Sequence, residues 1–288
     1  MSSFHVPKHT LGWQVLAQKR PGMTRDMPPG RRDLRWVADS STLIYGEHDA
    51  ILVDTALTIS QTQVVVDWVV ASGKRLKAIY ITHGHGDHFF GLAALQERYP
   101  QARALAIPDV ISEMNGQVSP DLLKNFWYPL FPKQIPKRLI VADPLDKNEL
   151  ELEGHKLVVV DTGRTDATYS TALHVPSLDL VVAGDTVYNG IHPSFDGSSR
   201  SSRLQWVSAL DKLDALKPKA VVAGHKVPDH DDDPRNIAET RQYILDFNRI
   251  QASATGARQV YDAMLDLYPN FANPGSLWGS ANAAKKKP

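Results

Sequence analysis

The chain has 288 residues, and its 32 lysines and arginines balance its 32 aspartates and glutamates, so its formal net charge is zero. A neutral chain has no overall field to attract nucleic acid or an anionic membrane surface, so neither is an expected partner. Because the chain has no cysteine, any metal must be held by His, Asp or Glu, and disulfides and cysteine nucleophiles are excluded.

The N-terminal half begins with residues 1–40, which are rich in Pro, Gly and Arg and which we interpret as a strand-poor lead-in that packs on the body. Alternating patterns follow: a hairpin of two short strands (41–46 and 50–55), a helix (59–72) ended by Gly73, a strand (76–82), a helix from Phe89 to Tyr99 stopped by Pro100, and a strand (102–107). Residues 108–135 mix prolines with aromatic residues and predict helix and loop, forming either core or a lid.

The second half of the chain shows similar patterns of strands and helices. Its predicted elements begin with three strands (149–162, 170–176 and 178–186), with turns at Gly154 and at 177–179. A helix (203–216), a strand (219–225), a helix from Asp233 and Pro234 to about Ile250, and a helix near 257–267 follow. The tail from Asn270 is interpreted as frayed.

Strands and helices thus alternate in two similar halves, which predicts an α/β protein with sheets at its centre and helices outside. We see no linker long enough to separate domains. We therefore expect a lead-in (1–40), a central domain (41–230), and C-terminal helices and tail (231–288) that pack on the same domain.

The most informative segment is THGHGDH (82–88), where a predicted strand stops and a predicted helix begins. In an extended chain, residues two apart point to the same side, so His83 and His85 can converge on one ion. Asp87 and His88 sit in the following turn, so four ligand-type side chains surround one small volume. Imidazole and carboxylate without thiolate suit Zn²⁺, with Fe or Mn as less suitable occupants.

Three other apolar strands close with Gly or Thr and then a polar residue. They are VVAGD ending at Asp185, VVAGH ending at His225 and VVVDTGR ending at Arg164. Strand ends aim side chains and leave them accessible, so Asp185 could bridge two ions and His225 could complete the second.

In order and spacing, these motifs resemble those of the metallo-β-lactamase superfamily, over roughly residues 40–230. The resemblance implies an αββα sandwich with the metal site at one edge of the two sheets, here with a C-terminal helical extension. The stretch from VVVDTG to VVAGDTVYNG is more similar to uncharacterised members than to glyoxalase II or the antibiotic-destroying lactamases. The implied ligands are His83 and His85 for a first site, Asp87, His88 and His225 for a second, and Asp185 as the bridge between them.

One departure concerns the third ligand of the first site, which a Gly-His-Thr usually supplies in that family. This sequence reads Gly-Arg-Thr there, and the guanidinium of Arg164 has no lone pair to give to a metal. We therefore expect one tightly bound Zn²⁺ in the second site and a weak or absent ion in the first. The alternative is that another residue fills the gap, with His192 and Asp166 the nearest candidates in sequence.

A zinc-bound water can have its pKa lowered to about 7, and the hydroxide can then attack a carbonyl at neutral pH. We therefore expect a metal-dependent hydrolase (EC 3) of a small-molecule ester, thioester, lactone or amide. Asp87 would orient the water and take or return its proton. Arg164 would bind a substrate carboxylate or phosphate, or else pair with a neighbouring aspartate. Tyr188 and His192 would line the pocket or protonate the leaving group.

Other interpretations stay open at this stage. A metal-poor pseudo-enzyme or binding protein of the same fold would show no turnover that chelation abolishes. A diiron or persulfide-dioxygenase type needs a full first site, and Arg164 argues against it. A nuclease is disfavoured by the neutral charge. The aromatic cluster at Phe126, Trp127, Tyr128 and Phe131 predicts a substrate wall, a contact in a possible homodimer, or ordinary core.

The hydrophobic runs of the sequence bear on where the protein is located. No apolar run approaches the roughly 20 residues that a membrane helix needs, and the N-terminus lacks the pattern of a secretory signal. We therefore expect a cytoplasmic protein without membrane association, which also disfavours classical lactamase action on cell-wall antibiotics.

Overall fold

The computed structural model describes residues 10–22 and 30–285 of the chain. The strands are β1 (Gly12–Pro21), β2 (Trp36–Tyr45), β3 (Asp49–Val53), β4 (Arg75–Tyr80), β5 (Arg103–Ala106), β6 (Asp143–Pro144), β7 (Glu149–Leu152), β8 (His155–Gly163), β9 (Ser170–Val175), β10 (Leu180–Asn189) and β11 (Ala220–Lys226). The helices are α1 (Ile59–Ala71), α2 (Gly86–Phe89), α3 (Leu92–Arg98), α4 (Pro108–Gln117), α5 (Pro120–Leu122), α6 (Tyr128–Leu130), α7 (Arg200–Asp214), α8 (Arg235–Ser253), α9 (Ala257–Leu267) and α10 (Pro274–Lys285). A π-helical turn, Leu123–Trp127, joins α5 to α6.

The strands of the described residues follow one ladder, in the order β6-β5-β4-β3-β2-β11-β10-β9-β8-β7, with β1 paired to β2. β2 and β11 share a single register pair, Asp39 with His225. We call this single pair of residues the seam. It divides the ladder into an N-terminal half (β1 to β6) and a C-terminal half (β7 to β11).

Three hydrophobic cores show that the two halves face each other. Along β2, Leu43 packs in a core under helices, whereas its neighbour Ile44 packs in the core between the halves. Along β10, Val181 and Val182 divide between an outer and the inner core in the same way. Because neighbouring strand residues point to opposite faces, each half has helices on one face and the other half on its second face. The predicted αββα sandwich is confirmed.

The expectation of a strand-poor lead-in is wrong within the described residues. β1 pairs antiparallel with β2 along its whole length, from Gly12 opposite Tyr45 to Pro21 opposite Trp36. The residues of β1 show no clear alternation of apolar and polar side chains, and its pairing partner β2 lies further along the chain. No local pattern therefore predicted this strand. The division of the chain at residues 40 and 230 stays a prediction, and residues 1–9 and 23–29 of the lead-in lie outside the described residues.

The C-terminal tail is helical rather than frayed up to Lys285. Leu277 and Ala281 of α10 are fully buried in the same core as Tyr261 of α9 and Ile244 of α8. This packing stabilises a helix that the sequence alone did not predict, because tertiary burial contributes more to the stability of most helices than helix propensity does. These three helices form the predicted C-terminal extension on the C-terminal half.

The predicted helix from Phe89 to Tyr99 is split into α2 and α3. Thr55 interrupts it, since the Thr55 backbone N–H donates to the His88 carbonyl at 2.7 Å and Thr55 Oγ1 accepts from the Gly91 N–H at 3.2 Å. These bonds replace the helical ones at the break. Among the described residues, the helices are all too short or too polar to cross a membrane.

Candidate metal centre

The motif THGHGDH lies just beyond the carboxyl end of β4. His83 is fully buried and forms an isolated bridge with Ser170, which extends the strand pairing into the motif. His85 is also extended (φ −73°, ψ 143°) and caps the N-terminus of α2. His83 Nε2 and His85 Nδ1 lie 3.2 Å apart, so the two imidazoles converge on one point.

Asp87 and His88 lie in the first turn of α2. His88 is buried, with Nδ1 3.0 Å from Asp54 Oδ2 and Nε2 3.3 Å from Asp185 Oδ1. A carboxylate at Nδ1 holds the ring proton there and leaves the Nε2 lone pair for a ligand. Asp87 is partly exposed, and its Oδ2 lies 3.6 Å from His225 Nε2.

Two neighbouring strands of the C-terminal half supply Asp185 and His225. Asp185 Oδ2 lies 3.1 Å from His225 Nε2 and 3.8 Å from His83 Nε2, so it stands between two sets of imidazoles. Gly224 permits this approach, because a Cβ there would overlap Asp185 Oδ1. His225 Nδ1 donates to the Ala38 carbonyl at 3.1 Å and lies 3.3 Å from Asp39 Oδ1, so Nε2 faces the centre.

Asp166 is a further donor beside the histidine pair. It lies between β8 and β9, and its Oδ2 is 3.2 Å from His85 Nδ1. Its Oδ1 accepts from the Ala167 N–H at 2.9 Å and from Thr165 Oγ1 at 3.0 Å, which fixes the carboxylate. The structure thus places the carboxylate of Asp166, two residues after Arg164, beside His85.

The donor atoms form two groups, and within each group they lie within 4.8 Å of one another. His88 Nε2 and Asp185 Oδ1 are buried without a hydrogen-bond partner among the described residues. Buried polar atoms are nearly always paired, and imidazole and carboxylate donors suit a divalent cation, so the residues fit a metal. The first group is His83, His85, Asp166 and Asp185, and the second is Asp87, His88 and His225.

The charges of the centre oppose one another. Burial, reinforced by His88, lowers the pKa of His83 to about 3. Burial would also lower the pKa of His85, but Asp166 raises it to about 9. Burial would raise the pKa of Asp185, but His225 and His88 hold it well below its usual range. A cation that binds here therefore displaces protons from imidazoles, so binding weakens as the pH falls.

Tyr188 lies inside the centre. Its hydroxyl donates to Asp185 Oδ2 at 2.8 Å and lies 3.4 Å from Asp166 Oδ2. Burial and the two aspartates raise the pKa of Tyr188 well above its usual value, so the hydroxyl keeps its proton. It therefore connects the two carboxylates through one hydrogen-bond donor.

The sequence did not single out Asp54 or Asp39 as functional residues. Asp54, with φ 57°, accepts from the Thr82 N–H at 2.8 Å and from Thr82 Oγ1 at 2.7 Å as well as facing His88. The sequence did contain a pattern that could have pointed to Asp54, because AILVDT is another apolar strand followed by a polar residue. Asp39 had no such signal, since it lies within β2.

Two of the predicted substrate residues lie outside the cluster. Arg164 is exposed and forms no ion pair with a described residue. His192 is fully buried in the helical layer, where Nδ1 is 2.8 Å from the Tyr243 hydroxyl and the ring packs on Phe271. His192 therefore does not fill the gap in the first site.

The aromatic cluster divides between core and surface. Trp127 and Phe131 are buried in the core of the N-terminal half, whereas Tyr128 is 46 % exposed. Trp127 also packs beside Gly86, next to the metal motif, because a Cβ on Gly86 would meet its ring. Ordinary core accounts for Trp127 and Phe131, and the lid role of residues 108–135 stays a prediction.

The sequence profile of the Metallo-beta-lactamase superfamily matches residues 34–225. This match spans β2 to β10, most of β11, and every donor of the two groups. The chain belongs to the metallo-beta-lactamase superfamily.

The chain is also similar to individual proteins. The metallo-beta-lactamase type 2 of Bacteroides fragilis is 27% identical over 192 residues, which cover 66% of this chain and 69% of that protein. The hydroxyacylglutathione hydrolase of Francisella philomiragia is 34% identical over 80 residues, covering 26% of this chain and 30% of that enzyme. A metallo-beta-lactamase family protein from Thermus thermophilus superposes with a TM-score of 0.62 at 20% identity, over 93% of this chain and 91% of that one. At this identity, the structural likeness concerns the fold alone.

Proposed function

We propose that the chain is a metal-dependent hydrolase of a small-molecule ester, thioester, lactone or amide, with two divalent cations as its cofactors. The names of its relatives support hydrolysis at a general level, since they include a lactamase and a hydroxyacylglutathione hydrolase. The observation that carries the proposal is the convergence of two donor groups on Asp185, which lies 3.3 Å from His88 and 3.8 Å from His83.

The residues that would hold the cations are those of the two groups, with Asp185 facing both. Zn²⁺ is the proposed occupant, because the donors are imidazoles and carboxylates. A divalent cation held there supplies Lewis acidity, which makes water nucleophilic at neutral pH and polarises a carbonyl.

Asp166 changes the expected stoichiometry. The expectation of one tight and one weak or absent ion assumed that the first site has only His83, His85 and the bridge. With Asp166 Oδ2 3.2 Å from His85 Nδ1, the first site would have three ligands, His83, His85 and Asp166, besides the bridging Asp185. We therefore propose two tightly held ions, with a carboxylate in the place that the family usually gives to a third histidine.

Asp87 is the proposed proton acceptor. Its carboxylate is the most exposed of the second group, at 12 % for the side chain against 1 % for His88 and 8 % for His225, so it faces incoming water and substrate. Tyr188 would hold its proton between Asp185 and Asp166 and so orient both carboxylates. Arg164, being exposed, would meet an anionic substrate at the rim of the site rather than inside it.

The test combines metal content with turnover. Zinc per chain is measured after dialysis, and hydrolysis of nitrophenyl esters, lactones and acyl-CoA thioesters is followed with and without a chelator. We expect two zinc equivalents and turnover that chelation abolishes. Asp166→Ala should lose one equivalent, whereas His48→Ala, at an exposed turn, should keep both. One equivalent in the parent chain would restore the single-ion expectation. A chain without zinc or turnover would favour a binding protein of the same fold.

A further inference from the structure

Arg20 is a buried cation at the end of β1, only 7 % exposed, and it touches the second donor group. Its Nη2 donates to Asp87 Oδ2 at 2.9 Å, and its Nε donates to Asp39 Oδ2 at 2.8 Å. One guanidinium therefore spans two carboxylates. The centroid of the Phe131 ring lies 5.4 Å from the guanidinium carbon and adds a cation–π contact.

Both carboxylates lead to the second donor group. Asp87 belongs to the group directly. Asp39 lies beside the group, since its Oδ1 is 3.3 Å from His225 Nδ1, which donates to the neighbouring Ala38 carbonyl at 3.1 Å. Gln61 Nε2 donates to the other oxygen of Asp39 at 3.0 Å. Arg20 is thus the residue to which two of the three members of the group are tied.

We propose that Arg20 is a positioning residue of the second metal site, one that fixes the orientation of Asp87 and, through Asp39, that of His225. The inference rests on the proposed metal-dependent function. It goes beyond the ligand set, because a guanidinium donates no electron pair to a metal. Arg20 also comes from β1, which pairs with one edge of β2, while β3 pairs with the other edge.

The chemistry of the guanidinium supports this role over that of a simple counterion. It is planar and always charged, and its donors are fixed in one fork, so it holds two carboxylates at a set angle. By occupying Asp87 Oδ2, it leaves Oδ1, which lies 4.0 Å from His88 Nε2 and has no hydrogen-bond donor among the described residues. A lysine in the same place reaches one carboxylate with a point charge and cannot reproduce the fork.

The neighbouring Lys19 offers a matched control. It carries the same charge on the same strand, but it is exposed and its ammonium lies over the Trp36 ring at 4.3 Å. Because side chains alternate along a strand, Lys19 points away from the face that carries Arg20. Removing its charge therefore changes the net charge of β1 without touching the donor group.

The experiment measures Zn²⁺ affinity at each site by chelator competition, together with the visible absorption spectrum of the Co²⁺-loaded protein, in the parent chain and three variants. In Arg20→Met, we expect one of the two binding events to weaken by about 10- to 100-fold, as for other outer partners of metal ligands, with an altered Co²⁺ spectrum. Arg20→Lys should give a smaller shift of the same event, and Lys19→Met should match the parent chain.

Two outcomes separate the claims. If the parent chain binds two ions and the folded Arg20 variants bind both with parent affinity and spectrum, the positioning role is refuted while the proposed function stands. If the parent chain binds no metal, the proposed function falls and the Arg20 role falls with it. Should Arg20→Met fail to fold, Arg20→Lys alone decides, since an unchanged spectrum and affinity in that variant refute the role.

Discussion

Asp54 is the residue on which the orientation of His88 depends. Replacing it with Asn keeps the shape of the side chain and suits the left-handed backbone at φ 57°, but it removes one acceptor and adds a donor. The carboxylate accepts from His88 Nδ1 at 3.0 Å, from the Thr82 N–H at 2.8 Å and from Thr82 Oγ1 at 2.7 Å. The side-chain amide introduced by Asp54→Asn, in either orientation, leaves a buried N–H of His88 or Thr82 facing another donor.

The size of the effect follows from this mismatch. A buried donor left without an acceptor costs about 1–3 kcal/mol. Loss of an outer partner of a metal-binding histidine lowers metal affinity by about 10- to 100-fold, which is about 1.4–2.8 kcal/mol and agrees with that cost. We therefore expect Asp54→Asn to lower the free energy of unfolding of the metal-free chain by about 1–3 kcal/mol and to weaken one Zn²⁺ site by about 10- to 100-fold.

The assay is urea denaturation of the metal-free chain, followed by chelator competition for Zn²⁺. Asp67→Asn is the control, because Asp67 lies on the exposed side of α1, where it accepts from Gln63 at 2.9 Å. The reasoning is refuted if Asp54→Asn keeps parent affinity at both sites, since Asp54 would then not orient His88.

The remaining predictions concern stability away from the metal centre. Leu277→Ala removes a fully buried side chain of α10 and should lower the free energy of unfolding by about 2–5 kcal/mol in urea, which a frayed tail would not show. Burial lowers the pKa of His192 from 6.5 to about 3, so below pH 6.5 the unfolded chain binds a proton that the folded chain excludes. Stability should then fall by up to about 1.4 kcal/mol per pH unit down to about pH 3, and His192→Gln should flatten this dependence of the urea midpoint. Burial opposes a low pKa at Glu153, but the backbone N–H groups of residues 47–49 lower it to about 2. The Glu153 carboxylate should therefore contribute its full stabilisation above about pH 4.5, and this contribution should vanish towards pH 2. The difference in urea midpoint between the parent chain and Glu153→Gln should close over that range, and a constant difference would contradict this prediction.

The sequence predicted those parts of the centre that depend on local pattern. His83, His85 and His88 are close in sequence, and Asp185 and His225 each end an apolar strand, so residue type and position were enough to propose them. The alternation of strand and helix patterns predicted sheets at the centre and helices outside, whereas the αββα sandwich itself was implied by the resemblance to the metallo-β-lactamase superfamily.

The parts that the sequence could not predict depend on contacts between distant segments. Arg20 reaches Asp87 across 67 positions, and it does so only because β1 pairs with β2. Asp39 lies inside a strand with no special neighbour, and its role arises from its place opposite His225. Asp166 was named only as an alternative, beside His192, for the ligand position that Arg164 cannot fill. The conformation of the turn after β8 decides between them, and residue types alone do not determine that conformation.

The seam lies beside the metal centre, and the bridge between His83 and Ser170 joins the two sheets a second time nearby. Each donor group takes side chains from both halves, since Asp166, Asp185 and His225 come from the C-terminal half and the other donors from the N-terminal half. The centre is therefore complete only when the two sheets are docked, and any partial opening of the sandwich would separate the donors of both groups at once. A bound cation would thus act as a cross-link between the sheets and raise the free energy of unfolding of the whole sandwich.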